Sequence, residues 1–130
     1  MSNQTEHGDQ ERKHSSDPLD AVRARIRSFR DERDWMQFHN PKNLAASIVI
    51  EAAELLELFQ WTDMAASAEL ATTRRQQLAD EIADVAVYLI ELADNLGIDL
   101  IAAIHSKMDA NAVKYPAAKA RGSSVKYTEL

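Results

Sequence analysis

Residues 74–95, RRQQLADEIADVAVYLIELADN, decide the fold. Drawn as a helix, this stretch carries apolar side chains on two opposite faces, and no proline or glycine interrupts it. A helix that is apolar on nearly all sides is buried on nearly all sides. In a chain of 130 residues, so much burial indicates a subunit interface in addition to a core. The stretch therefore predicts a long central helix in an oligomeric all-α protein.

Helix signals lie on both sides of this stretch. Downstream, Gly97 predicts the end of the central helix, and Asp99 caps a further helix that Pro116 stops. Upstream, Asp17 and Asn40 each precede a proline, which is typical of an N-cap followed by proline at the first helical position. These signals predict a four-helix bundle, with helices near residues 18–34, 41–60, 74–95 and 100–115. Residues 64–73 are compatible with either a short helix or a loop.

The composition divides the chain into three parts. Residues 1–17 are polar and charged, which predicts a disordered N-terminal arm. Residues 18–116 hold the predicted helices and form one helical domain. Residues 117–130 show no clear period and are predicted to be a C-terminal tail.

Charge and cysteine content exclude several classes of function. The net charge of −6 disfavours a nucleic-acid partner, because such proteins neutralise phosphates with basic surfaces. The absence of cysteine excludes disulfides, thiolate metal sites and a cysteine nucleophile, and it suits a reducing compartment. No window reaches the length of an apolar membrane span. We therefore expect a cytoplasmic protein with no membrane or nucleic-acid partner.

Two acidic pairs are the candidate functional residues. Glu51 and Glu54 stand three residues apart on the second predicted helix, and Glu81 and Asp84 stand three apart on the central helix. Residues at this spacing lie on one side of a helix, so two packed helices would bring the four carboxylates together. Such like charges repel unless a cation neutralises them. All-oxygen ligands suit Mg²⁺, with Mn²⁺ as a substitute.

The surroundings of Glu51 favour this interpretation over ordinary solvated carboxylates. At 100° per residue, Leu44, Ile48, Leu55 and Leu58 all fall within roughly 60° of Glu51. Glu51 therefore sits within the apolar stripe of its helix, where a solvated carboxylate is not expected. Spacing alone leaves both interpretations open.

Aromatic and basic residues flank the acidic helices. Aromatic rings such as Trp35 and Trp61 stack flat bases in some proteins, but they are core or interface residues more often. His39 is compatible with a ligand donor or with an ordinary loop histidine. Lys107 and Asn111 recur at helical spacing, which fits either phosphate contacts or a solvated basic face.

Several strings resemble one known family, the all-α MazG-like nucleoside triphosphate pyrophosphohydrolases, and within it the dCTP pyrophosphatases. The resemblance covers about residues 19–130. It is carried by the E-x-x-E and E-x-x-D pairs at residues 51–54 and 81–84 together with longer strings. These are ERDWMQFHNPKNL (32–44), EAAELLELFQW (51–61), DEIADVAVYL (80–89), SKMDANAVKYPA (106–117) and SSVKYTEL (123–130).

The resemblance implies a function and a set of site residues. It implies Mg²⁺-dependent hydrolysis of dCTP or related pyrimidine nucleotides to the monophosphate and pyrophosphate, by a homotetramer arranged as a dimer of dimers. Glu54 is the residue assigned to orienting the attacking water. The metal ligands implied are Glu51, Glu54, Glu81 and Asp84. The nucleotide contacts implied are Trp35, Met36, Gln37, Phe38, His39, Trp61, Tyr88, Lys107 and Asn111.

One departure from the family pattern leaves the substrate open. Residues 35–39, WMQFH, form a short aromatic connector between the first two predicted helices. Relatives that hydrolyse dCTP can carry a histidine nine residues before the tryptophan of this connector, and this chain has Ile26 there. A preference for dUTP, a modified cytosine nucleotide or a broad range of dNTPs is therefore a second hypothesis. A third is a non-catalytic helical oligomerisation module, which needs no metal.

Overall fold

The computed structural model describes residues 17–130 and contains only helices within that range. The predicted disordered arm lies outside the described residues, apart from Asp17. The α-helices are α1 (Pro18–Glu32), α2 (Pro41–Glu57), α3 (Met64–Thr73), α4 (Arg75–Asn95), α5 (Leu100–Lys114) and α6 (Ala117–Ala120). Single 3₁₀ turns cover Met36–Phe38 and Tyr127–Glu129.

The all-α fold class is confirmed, but the predicted number of helices is wrong. The described residues form six α-helices rather than four. One additional helix, α3, is the segment that the sequence left open, and the other, α6, is a single turn in the predicted tail. The second predicted helix also ends earlier than expected, at Glu57 rather than near Gln60.

Side-chain caps explain where the helices begin. Oδ1 of Asp17 accepts a hydrogen bond from the backbone N–H of Leu19 at 3.0 Å. Asn40 caps α2 and Asp99 caps α5 in the same way, through backbone N–H groups at 2.9 and 3.0 Å. Asp63 accepts from the N–H of Ala66 at 2.8 Å, which starts α3. Each bond satisfies a donor that would otherwise have no partner in the first turn of the helix.

Gly97 ends the central helix as the sequence predicts. Its φ is +67°, a left-handed conformation that glycine adopts without steric penalty. Its N–H donates to the carbonyl of Asp94 at 3.0 Å, and the next N–H, of Ile98, donates to that of Ala93 at 2.9 Å. This pair of bonds is a Schellman motif, which reverses the chain and releases it into α5.

Helices α2 and α4 form the main packed pair, and α1 lies against α4. His39, just before α2, meets Glu91 near the end of α4, whereas Glu51, midway along α2, lies beside Glu81, early in α4. The two helices are therefore antiparallel. Leu44 of α2 is only 1 % exposed and lies at the centre of the small core. This packing aligns the acidic pairs of the two helices.

Ion pairs fasten α1 to the end of α4. The guanidinium of Arg27 donates to both carboxylate oxygens of Asp94, and Nε of Arg23 lies 3.7 Å from the same group. Arg30 donates to Oδ1 of Asn95 at 3.0 Å. These contacts set the direction in which the chain leaves α1 and enters the connector before α2.

Large apolar side chains lie on the surface of the chain. Helix α5 is exposed along almost its whole length, and Val113 near its end is 80 % exposed. Val49 and Leu56 of α2 and Ile82 of α4 are also exposed. Exposed apolar side chains mark an interaction site where they form a continuous patch. Among residues 17–130, no helix combines the length and apolar composition that a membrane span requires.

Candidate functional site

Three carboxylates converge where α2 crosses α4. Glu51 of α2 and Glu81 and Asp84 of α4 each offer one oxygen, and these oxygens all lie within 4.8 Å of one another. The spacing of three residues on α4 places its two carboxylates on the same side of that helix. The antiparallel packing then sets Glu51 opposite them. We call these three residues the carboxylate cluster.

Two oxygens of the cluster are buried without a hydrogen-bond donor. Within the described residues, Oε2 of Glu51 and Oε2 of Glu81 have almost no accessible surface and no partner. Burial, followed by the neighbouring charge of Glu54, raises the pKa of both glutamates above their ordinary value. Buried acceptors without donors are costly, and a cation removes that cost. The all-oxygen donor set fits Mg²⁺ or Mn²⁺.

The raised pKa values predict how stability changes with pH in the absence of added metal. The raised pKa values mean that Glu51 and Glu81 keep their protons to higher pH in the folded chain than in the unfolded chain. The free energy of unfolding therefore falls as the pH rises from the ordinary pKa of a glutamate through the raised pKa of the folded state. We expect the stability of Glu51→Gln minus that of the wild type to increase over this window. Urea denaturation at a series of pH values in chelator measures the difference.

The subtraction between the two proteins is needed because other groups titrate with the opposite sign. Arg27 lowers the pKa of Asp94, so the stabilisation from that pair is lost as pH falls. Asp94 is present in both proteins, and its contribution cancels in the difference. A difference that stays constant with pH would show that burial of Glu51 carries no penalty.

Glu54 stands beside the carboxylate cluster rather than within it. It is exposed, and it does not belong to the three residues whose carboxylate oxygens lie within 4.8 Å of one another. Its charge still raises the pKa of both Glu51 and Glu81, which shows that it lies close to them. Its predicted roles as fourth ligand and as the residue that orients water stay predictions.

The aromatic connector reaches the cluster through Tyr88. The ring of His39 lies between those of Trp35 and Tyr88, with centroids at 6.1 and 6.3 Å. Burial, followed by the charges of Glu51 and Asp84, raises the pKa of Tyr88. The structure thus joins the predicted nucleotide-contacting residues of the connector to the predicted metal ligands.

The middle of the connector is a 3₁₀ turn with local anchors. Nε2 of Gln37 donates to the backbone carbonyl and to Oδ2 of Asp34, both at 3.0 Å. Asp34 adopts a φ of +53°, so this bond supports a left-handed residue at the entrance of the turn. Met36 accepts from Nδ2 of Asn95 through its sulfur at 3.8 Å. Phe38 is exposed and thus available to a ligand or a second subunit.

A buried network behind His39 was missed by sequence reasoning. Oε1 of Glu91 lies 2.7 Å from Nδ1 of His39 and 3.6 Å from the guanidinium of Arg30. Glu91 is only 3 % exposed. The one signal in the sequence was its position between the two apolar faces of α4, two turns after Asp84. That position alone does not show that Glu91 is buried or that it binds His39.

Of the remaining predicted contacts, Trp61 shares a cleft with Glu81 of the cluster, whereas Lys107 and Asn111 lie elsewhere, on α5. Trp61 is 90 % exposed and lines a cleft of about 440 Å³ together with Glu54, Glu81 and Arg74. Lys107 and Asn111 lie on α5, and in the described part of the chain their side chains form no ion pair or hydrogen bond. Arg74, which sequence reasoning did not single out, is the basic residue in that cleft.

Comparison with known proteins now places the chain in a family. The MazG-like family model matches residues 46–130, which include all four predicted metal ligands. The chain belongs to the MazG-like family. It is 47 % identical to dCTP pyrophosphatase 1 of Homo sapiens over 114 residues, covering 86 % of this chain and 67 % of that protein. The dCTP pyrophosphatase 1 of Bos taurus is 42 % identical over 119 residues, which cover 89 % of this chain and 70 % of that protein.

A solved structure agrees with the fold of this MazG-like chain. The crystal structure of a pyrophosphatase from Archaeoglobus fulgidus DSM 4304 superposes with a TM-score of 0.76 at 44 % identity. The match covers 79 % of this chain and 96 % of the archaeal one. The expected resemblance and the enzyme class, a nucleoside triphosphate pyrophosphohydrolase, are confirmed. The individual site residues stay predictions.

Proposed function

We propose that this MazG-like enzyme hydrolyses dCTP to dCMP and pyrophosphate in a Mg²⁺-dependent reaction. The observation that carries the metal dependence is the pair of buried oxygens in the carboxylate cluster that have no hydrogen-bond donor within residues 17–130. The preference for dCTP rests on the names of relatives that are 42–47 % identical. The cellular role would be to remove excess or aberrant pyrimidine nucleotides.

The residues divide into a metal-binding and a reacting group. Glu51, Glu81 and Asp84 would hold Mg²⁺, with Glu54 as the fourth ligand. When bound, the metal neutralises phosphate charge and acidifies a coordinated water. A water oxygen forms a bond to the α-phosphorus while the bond to the bridging oxygen of the β-phosphate breaks. Glu54, exposed beside the cluster, would orient that water and accept its proton.

The remaining residues would bind the nucleotide. The connector, Tyr88 and Trp61 surround the base and sugar, and Lys107 and Asn111 meet the phosphates and stabilise the leaving pyrophosphate. The last two lie apart from the cluster in one protomer. A homotetramer, arranged as a dimer of dimers, would cover the exposed faces of α5 and α2 and complete the site. Sedimentation equilibrium tests the tetramer, and a monomeric mass would contradict it.

The domain division and the location follow from the same proposal. Residues 18–116 form the catalytic domain, and residues 117–130 form a tail. The ring of Tyr127 in the tail packs edge-on against Tyr115 with centroids 5.8 Å apart. The absence of cysteine favours the cytoplasm.

A substrate panel tests the proposed function. Pyrophosphate release is measured in Mg²⁺ from dCTP, dUTP, 5-methyl-dCTP and the remaining dNTPs. The highest kcat/KM for dCTP is expected. A higher value for another triphosphate would keep the chemistry and change the specificity, with Ile26 the first residue to examine. Release from no triphosphate would contradict the proposal and favour the helical module.

Truncation of Trp61 tests the role of the exposed cleft. Stacking on an aromatic side chain contributes about 1–3 kcal/mol per base. We therefore expect Trp61→Ala to raise the KM for dCTP by about 10-fold or more, with little change in thermal stability because the side chain is 90 % exposed in the protomer. Steady-state kinetics and thermal melting measure the two effects. An unchanged KM would remove Trp61 from the nucleotide site.

A further inference from the structure

A second carboxylate of α4, Glu91, lies buried outside the carboxylate cluster. Its Oε1 is 2.7 Å from Nδ1 of His39. A carboxylate only accepts hydrogen bonds, so the proton of this bond belongs to Nδ1 of His39. The bond therefore fixes both the rotation of the imidazole and its tautomer, and it leaves Nε2 as the free ring nitrogen.

Arg30 also lies beside the oxygen of Glu91 that His39 contacts. Its guanidinium lies 3.6 Å from Oε1 of Glu91, donates to Asn95 at 3.0 Å and donates to Asp31 at 2.8 Å. Arg30 itself is buried, at 9 % exposure. A buried carboxylate with a buried guanidinium and several hydrogen bonds forms a rigid support, because each member restricts the others.

The location of the supported ring suggests more than a structural role. His39 lies between the rings of Trp35 and Tyr88, and Tyr88 in turn adjoins Glu51 and Asp84. The Glu91–His39 bond thus determines the position of the ring that connects the aromatic connector to the carboxylate cluster. A shift of that ring would alter the space available for a nucleoside without disturbing the cluster.

We propose that Glu91 is a positioning residue that holds the His39 ring for contact with the nucleoside part of the substrate. The inference rests on the proposed function, since it assigns the nucleoside to the side of the site lined by His39. It predicts an effect on nucleotide binding that passes entirely through His39. A residue that only stabilises the fold would act equally whether or not His39 is present.

A double-mutant cycle separates these two roles. Glu91→Gln retains the shape of the side chain, and His39→Phe retains a ring but has no nitrogen. Glutamine keeps an acceptor but removes the charge, and a charge-assisted hydrogen bond is roughly twice as strong as a neutral one, which corresponds to a change of up to about 10-fold. We expect Glu91→Gln to raise the KM for dCTP about 10-fold with kcat nearly unchanged, and to have no further effect in the His39→Phe background.

Controls and a second measurement keep the proposal falsifiable. Glu69→Gln, which alters an exposed carboxylate on α3, should behave as the wild type. The same factor from Glu91→Gln in both backgrounds would overturn the positioning role. Nitrogen-15 NMR of the wild-type imidazoles, without nucleotide, should show one histidine protonated at Nδ1. The population of that tautomer should fall in Glu91→Gln, because a neutral amide can either accept from the ring or donate to it.

The two tests fail in different ways. If the wild type does not hydrolyse dCTP, the proposed function is wrong, but the NMR experiment still reports on the Glu91–His39 bond. If the wild type is active and no histidine has the Nδ1–H tautomer, the positioning role is wrong and the proposed function stands. If Glu91→Gln fails to fold, the wild-type spectrum still tests the contact: an Nδ1–H tautomer supports the Glu91–His39 bond, and its absence overturns it.

Discussion

Glu51→Gln is expected to lose about 10³-fold in kcat/KM for dCTP in the presence of Mg²⁺. The substitution keeps the volume of the side chain but removes the charge that faces Glu81 and Asp84 across the α2–α4 contact. Metal binding supplies several kcal/mol of charge stabilisation in the transition state, and each 1.36 kcal/mol corresponds to about a tenfold change in rate. Steady-state pyrophosphate release over a range of Mg²⁺ concentrations measures the loss.

A matched substitution distinguishes the cluster from a general loss of negative charge. Glu69 on α3 is exposed and outside the cluster, so Glu69→Gln should retain wild-type kcat/KM. Partial recovery of Glu51→Gln at high Mg²⁺ would indicate weakened metal binding. Activity within about threefold of the wild type at all Mg²⁺ concentrations would exclude Glu51 as a ligand.

Mg²⁺ is expected to stabilise the wild type strongly and Glu51→Gln hardly at all. A ligand at 100 times its Kd contributes about 2.7 kcal/mol to the free energy of unfolding, which corresponds to a rise in Tm of roughly 10 °C for a domain of this size. The stabilisation requires the buried oxygens of Glu51 and Glu81, which have no donor among the described residues. Thermal melting in chelator and in saturating Mg²⁺ gives both shifts.

The same melting curves carry an internal comparison. In chelator, Glu51→Gln should melt at a higher temperature than the wild type, because it removes a carboxylate whose pKa is raised by burial and by its acidic neighbours. In Mg²⁺ the order should reverse. A variant less stable than the wild type in both conditions would mean that Glu51 serves the packing of α2 against α4 rather than a metal.

Local signals predicted most of the helices because caps and stops act within a few residues. Asp17, Asn40 and Asp99 cap the helices that the sequence assigned to them, and Gly97 ends α4. The segment after Asp63 was left open because its alanines do not form a distinct apolar stripe. In the structure this segment is helix α3, which begins at the Asp63 cap. The sequence alone does not show the geometry of that cap.

The convergence of three acidic residues was predictable, but their environment was only partly so. Three-residue spacing puts Glu81 and Asp84 on one side of α4, and the apolar stripe around Glu51 indicated a carboxylate turned inward. The partner of Glu91 was not predictable, because the contact joins residues 52 positions apart. The position of Lys107 relative to the cluster likewise depends on how α5 packs against the other helices, which periodicity does not determine.

The most direct test of a cation site at the carboxylate cluster is binding of Mn²⁺ in the absence of nucleotide, followed by the EPR signal of the free ion. We expect saturable binding by the wild type, competition by Mg²⁺, and no comparable binding by Glu51→Gln. Glu69→Gln should bind as the wild type does. Equal affinity and stoichiometry in the wild type and in Glu51→Gln would rule out a cation site at the carboxylate cluster, because the ion would then lie elsewhere than at Glu51, Glu81 and Asp84.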